Sequence, residues 1–151
     1  MSQEVESRYL VPDQVLFGRL LQLRQIGEYQ LEALGKNNVQ DRYLDTPGHA
    51  LLRQGWACRL RCEDRRWVVT LKGPAQVGPN SVNRAEFEVV LPGGIRDASH
   101  WPRGELRERV EVLSGGMALR SLVRVRQTRH RFTVTEGART VAELSLDQIK
   151  F

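Results

Sequence analysis

Charged residues recur at every second position in several separate stretches of this chain. Glu4, Glu6 and Arg8 do so in EVESR, Arg59 and Arg61 in CRLRC, and Glu86 and Glu88 in AEFEV. Arg124 and Arg126 follow in VRVRQ, then Glu143 and Asp147 in ELSLD, with Ser145 between them. A β-strand sends alternate side chains to opposite faces, so each set shares one wall of a sheet. One such stripe is what a solvated outer face looks like. Repetition within a single small domain instead suits a sheet whose second face lines a polar, ligand-filled interior. The predicted class is therefore α+β, an antiparallel β-barrel with a few flanking helices.

The signs of the stripes suggest what fills that interior. Glu4 and Glu6 side by side repel, and burying them uncompensated is costly. A hard divalent cation such as Mg²⁺ takes oxygen ligands and bridges carboxylates to phosphates, which offsets the repulsion. Basic stripes facing acidic ones suit a polyanion and its metal. The net charge of +5 also favours anionic partners.

At 151 residues the chain has the length of one domain, 1–151, and 40% hydrophobic with 27% charged residues fits a globular protein. No apolar run approaches the roughly 20 residues of a membrane span, so no membrane partner is expected. MSQEVESR lacks the charged start and apolar region of a secretory signal, and cytoplasmic residence is expected.

Periodicity places the elements. VPDQVLFGRLLQLRQIGEY reads as a helix capped by Asp13 and stopped near Gly27, with Val15, Leu16, Leu20, Leu23 and Ile26 packing on a sheet. QDRYLDT is extended, and PGHALLRQG is a turn with a short helical piece. ACRLRCEDRRWVVTLKG is a hairpin turning at EDRR, with Lys72 at the end of its second strand. PAQVGPNSVN reads as a loop, RAEFEVVL as a strand, and ELRERVEVLSGG as a helix closed by paired glycines. LRSLVRVRQTRHRFTVT and TVAELSLDQIKF are the last two strands, joined by a turn at EGAR.

In this order the motifs resemble the CYTH domain, or triphosphate tunnel metalloenzyme, family. EVESR is similar to its ExExK hallmark, with Arg8 in the lysine position. YLDTP, ACRLRC followed by VTLKGP, AEFEV and AELSLD resemble its later motifs. The resemblance implies a tunnel-forming barrel that holds a triphosphate-bearing small molecule with Mg²⁺ or Mn²⁺. It implies Glu4, Glu6, Arg8 and Lys72 as catalytic residues, and Glu4, Glu6, Glu88, Glu143 and Asp147 as metal ligands. Arg8, Arg59, Arg61, Lys72, Arg126 and Arg129 would grip phosphate oxygens through charge-assisted hydrogen bonds. Gln127 stands where the family has a basic residue. The chain ends soon after AELSLD, so the barrel is expected to be incomplete at its C-terminus, and a homodimer could complete it.

The expected function is metal-dependent hydrolysis of an inorganic or organic triphosphate. Alternatives are a class IV adenylate cyclase acting on ATP and a non-catalytic polyphosphate- or nucleotide-binding module. A nucleic-acid partner is disfavoured, because Trp56, Trp67 and Trp101 read as packing residues rather than a stacking platform. His49, His100 and His130 show no metal-ligand spacing, and Ser81 and Ser99 have no partner base. Cys58 and Cys62 would be about 13 Å apart on one strand face, beyond disulfide reach, and read as small apolar residues.

Overall fold

The structure, a computed structural model, describes residues 7–77 and 82–151. Helices α1 (Gln14–Gln22), α2 (Ala50–Arg53) and α3 (Glu105–Ser114) accompany strands β1 (Gln25–Ile26), β2 (Tyr29–Asp45), β3 (Ala57–Glu63), β4 (Arg66–Val77), β5 (Val82–Leu91), β6 (Arg120–Glu136) and β7 (Arg139–Lys150). The strands pair in the order β5-β4-β3-β2-β6-β7, with β1 also on β2. This is the α+β class expected, an antiparallel sheet with flanking helices. Its contacts gather into two compact units, one of Met1–Lys36 and Arg129–Asp147, the other of Asn37–Thr128 and Gln148–Phe151.

In the first unit, Asp13 caps α1 as expected, its carboxylate accepting from the Leu16 N–H at 2.8 Å. The helix ends at Gln22, short of Gly27. Residues after it leave to pair with β2, and Gly27 (φ 59°) instead serves the turn between Ile26 and Tyr29. The packing face is also rotated from the expected one. Phe17, Leu20, Leu21 and Leu23 join Leu31, Phe132 and Leu146 in the core, while Val15, Leu16 and Ile26 are exposed.

In the second unit, α2 and α3 cover one face of the β2–β5 sheet. The core there gathers Leu44, Cys58, Leu60, Val69, Leu71 and Leu91 from strands with Leu51, Leu106, Val110 and Leu113 from the helices. The expected hairpin turns at Asp64 and Arg65, both with positive φ, the backbone that suits a two-residue turn between twisted strands. Gly115 and Gly116 end α3 as expected. The Gly116 N–H reaches the Glu111 carbonyl and the Gly115 N–H that of Val112, closing a Schellman motif.

Three expectations need correction. The opening strand is not formed by its described part: residues 7–13 belong to no regular element, and Tyr9 and Leu10 are exposed. Alternation tells which face a residue would take but supplies no neighbouring strand, and Pro12 cannot donate to a ladder. Strand β2 begins at Tyr29, well before QDRYLDT, since pairing carries it through the poor strand formers in Gly35–Asn38. Strand β4 runs past Lys72 to Val77, because a register shift between Lys72 and Ala75 accommodates Gly73 and Pro74.

A basic and acidic sheet face as candidate functional site

Registers in the second unit define the site. Tyr43 lies opposite Arg59, Arg59 opposite Thr70, and Thr70 opposite Glu88. The adjoining row runs Asp41, Arg61, Val68, Val90, and another runs Ala57, Lys72, Glu86. Directly opposed residues share a face, so Arg59, Arg61, Lys72, Glu86 and Glu88 lie on one wall. Cys58, Leu60, Val69 and Leu71 between them point the other way, into the core under the helices. The apolar set on the same strands fixes which face the charges must take.

The three cations differ in how they are held. Asp41, 6% exposed, grips Arg61 with both oxygens, at 2.8 Å from Nε and 2.7 Å from the terminal nitrogen. That hydrogen-bonded carboxylate raises the Arg61 pKa above its ordinary value and fixes the guanidinium in place. Lys72 Nζ lies 3.3 Å from Glu86 Oε1, a pair open to solvent. The Nε of Arg59 is buried and has no hydrogen-bond partner among the described residues. Across the same row the Thr70 hydroxyl is only 3.5 Å from Glu88 Oε2, the outer limit of a hydrogen bond.

An Arg59 N–H with no partner among the described residues, on a wall that carries two further cations and several carboxylates, is free to donate to an added acceptor. A model of the CYTH domain matches residues 2–151. The chain belongs to the CYTH domain family. None of the curated proteins matches it in sequence. Among solved structures, it is similar to a Hippeastrum protein, provisionally an adenylyl cyclase, described as having a dominant triphosphatase activity. Identity is 20%, the TM-score 0.60, and the match covers 80% of this chain and 62% of that one. A Pyrococcus horikoshii protein matches at 21% identity and TM-score 0.47, over 80% of this chain and 60% of that one. A Bacillus halodurans protein, provisionally an adenylate cyclase, matches at 18% and 0.48, over 81% and 67%. The CYTH chain thus spans about 60% of the length of the first two.

The registers above do not include the other expected residues of this CYTH chain. Glu4 and Glu6 lie outside the described residues, and Arg8 is exposed in the irregular segment before α1. In the first unit, Arg129 grips Asp147 at 2.9 and 3.0 Å, and Arg131 grips Glu143 at 2.8 and 3.2 Å. The hydrogen bond from Arg131 holds the Glu143 pKa below the usual carboxylate range. Arg126 and Arg124 are exposed on β6. No three His, Cys, Asp or Glu side chains among the described residues are placed to hold a metal ion, so these alone do not make a metal site. No helix among them is long and apolar enough to cross a membrane.

Sequence reasoning missed Asp41 and Thr70 as parts of the wall. Asp41 was legible from its alternation with Tyr43 and Asp45, whereas Thr70 reads as an ordinary strand residue. The YLDTP segment has a structural role instead. Asp45, 3% exposed, accepts the N–H groups of Thr46 at 2.7 Å, Leu51 at 2.9 Å and Leu52 at 3.0 Å, and so folds the turn into α2.

Proposed function

We propose that this chain binds the triphosphate group of an inorganic or organic substrate on the Arg59–Arg61–Lys72 wall and hydrolyses it. The observation that carries the reading is the buried Nε of Arg59, without a partner among the described residues, between the Asp41-anchored Arg61 and Lys72. A triphosphate presents oxygens along its length, and three spaced cations match that extended charge better than a single phosphate would. Arg59 gains a charge-assisted partner, and Arg61 arrives pre-oriented at low entropic cost. Lys72, a compact charge on a flexible stem, can exchange Glu86 for a phosphate oxygen.

In hydrolysis, water attacks the terminal phosphorus as the bridging P–O bond breaks, and the departing diphosphate takes the negative charge. Cations fixed on that bridge and on the non-bridging oxygens stabilise charge where it accumulates. Mg²⁺ or Mn²⁺ is the proposed cofactor. The donors proposed for it are Glu4, Glu6, Glu88, Glu143 and Asp147, while the roles of Arg59, Arg61 and Lys72 stand without it. Arg8, Arg126 and Arg129 are the proposed additional phosphate contacts. We place the protein in the cytoplasm.

Orthophosphate and cyclic AMP are measured from tripolyphosphate and from ATP with each metal, for the parent and for Arg59→Gln, Lys72→Gln and Glu6→Gln. Metal-dependent orthophosphate release that drops at least tenfold in all three variants is expected. Cyclic AMP from ATP as the main product would make the chain a cyclase, and unchanged rates in the variants would remove the wall from the chemistry.

A further inference from the structure

Thr70 stands on the wall with Arg59 directly opposite it on β3 and Glu88 directly opposite it on β5. It is 1% exposed, more deeply buried than Asp41 at 6%. An apolar side chain would fill such a position without any polar cost. A hydroxyl there must find a partner or leave a buried polar group poorly satisfied.

Thr70 is poorly satisfied. Its hydroxyl makes one hydrogen bond among the described residues, to Glu88 Oε2 at 3.5 Å, so little is lost when it turns to another acceptor. Glu88 is exposed, and its carboxylate can give up that place without disturbing the core. On the other flank the buried Nε of Arg59 has no partner among the described residues, so the two groups are not bonded to each other either.

Directly opposed strand residues have Cβ atoms about 5 Å apart, near enough for both side chains to reach one atom. The Nε–H direction is fixed by the plane of the guanidinium, whereas a hydroxyl hydrogen rotates to suit its acceptor. One donor is charged and fixed, the other neutral and adjustable. A single anionic oxygen satisfies both, and burial from water strengthens each bond.

We propose that the Thr70 hydroxyl is a further phosphate-binding group, donating together with Arg59 Nε to one oxygen of the bound triphosphate. The assignment rests on the reading of this wall as a triphosphate site and adds a neutral donor to its three cations.

Calorimetric titration with tripolyphosphate at fixed ionic strength tests it. Thr70→Ser keeps the hydroxyl and should bind within threefold of the parent. Thr70→Val keeps the size without the hydroxyl and should bind at least fivefold more weakly, as should Thr70→Ala, with melting curves checking that each variant is folded. In an Arg59→Gln background, Thr70→Val should change affinity less than twofold, because the oxygen is no longer held between the two groups. A hydroxyl that only supported the fold would keep its effect there. Parent-like binding by the folded hydroxyl-free variants would overturn the proposal. So would equal weakening in Thr70→Ser, or an undiminished Thr70→Val effect in the Arg59→Gln background. Binding that depends on Arg59 but not on Thr70 would remove this assignment alone, whereas no binding by the parent would remove the triphosphate reading with it.

Discussion

Asp41 and Arg61, on neighbouring strands β2 and β3, meet in a two-point contact of 2.8 and 2.7 Å. The carboxylate is nearly buried and the guanidinium side chain is 23% exposed. Such a pair locks one cation of the wall, while the Nε of its neighbour Arg59 has no acceptor among the described residues. Asp41→Ala should therefore cost about 2–3 kcal/mol of stability, because a partly buried charge loses its partner. A lower urea midpoint at unchanged slope is the expected reading, and tripolyphosphate affinity should fall with it as Arg61 loses its orientation.

Asp45 supports the fold rather than the wall. Its carboxylate satisfies three backbone N–H groups at the entry to α2, so Asp45→Ala leaves buried donors orphaned. A loss of about 3 kcal/mol is expected in urea unfolding. Asp45→Asn, which keeps an acceptor oxygen, should recover part of it.

The two cysteines should react differently. Burial under the helices, with Asp45 nearby, pushes the Cys58 thiol up to about 12. At pH 8 its thiolate fraction is then about one in 10⁴, and the thiolate is the reactive form. Cys62 is only half-buried. Titration with an aromatic disulfide reagent should release one equivalent from the native chain and two after denaturation. Cys62→Ser should abolish the native signal.

Glu143 offers a pH test in the first unit. Its folded pKa is depressed by the hydrogen bond from Arg131, so its contribution to stability is present above the unfolded pKa and is lost as pH falls through the folded value. Carbon-detected titration should show Glu143 ionising below the ordinary carboxylate range in the parent. Arg131→Gln should return it to that range.

Much of this arrangement is legible in the amino-acid sequence. Alternation places Arg59, Arg61, Lys72, Glu86 and Glu88 on one face, because the apolar residues between them leave a strand no choice. The Asp13 cap and the Gly115 stop are legible for equally local reasons: a side chain that accepts the orphan N–H, and a residue at ease with positive φ. What sequence does not supply is pairing. Gly35–Asn38 are weak strand formers that the ladder nonetheless carries inside β2, and EVESR has the right alternation without a strand formed by its described residues. The clasps of Arg129 on Asp147 and Arg131 on Glu143 are likewise hidden, since a hairpin turn at EGAR does not by itself fix which residues of its two long strands stand opposite. The cation–π seat of Arg109 over Trp56 and Phe87 needs tertiary packing in the same way.

The central claim is that the buried Arg59 Nε, without a hydrogen-bond partner among the described residues, marks a triphosphate site. The most direct measurement is the calorimetric affinity of tripolyphosphate for the parent and for Arg59→Gln at fixed ionic strength. One-to-one binding in the parent, weakened at least tenfold (about 1.4 kcal/mol) in the variant, is the predicted result. Equal affinity in the two proteins, with both folded, would contradict it.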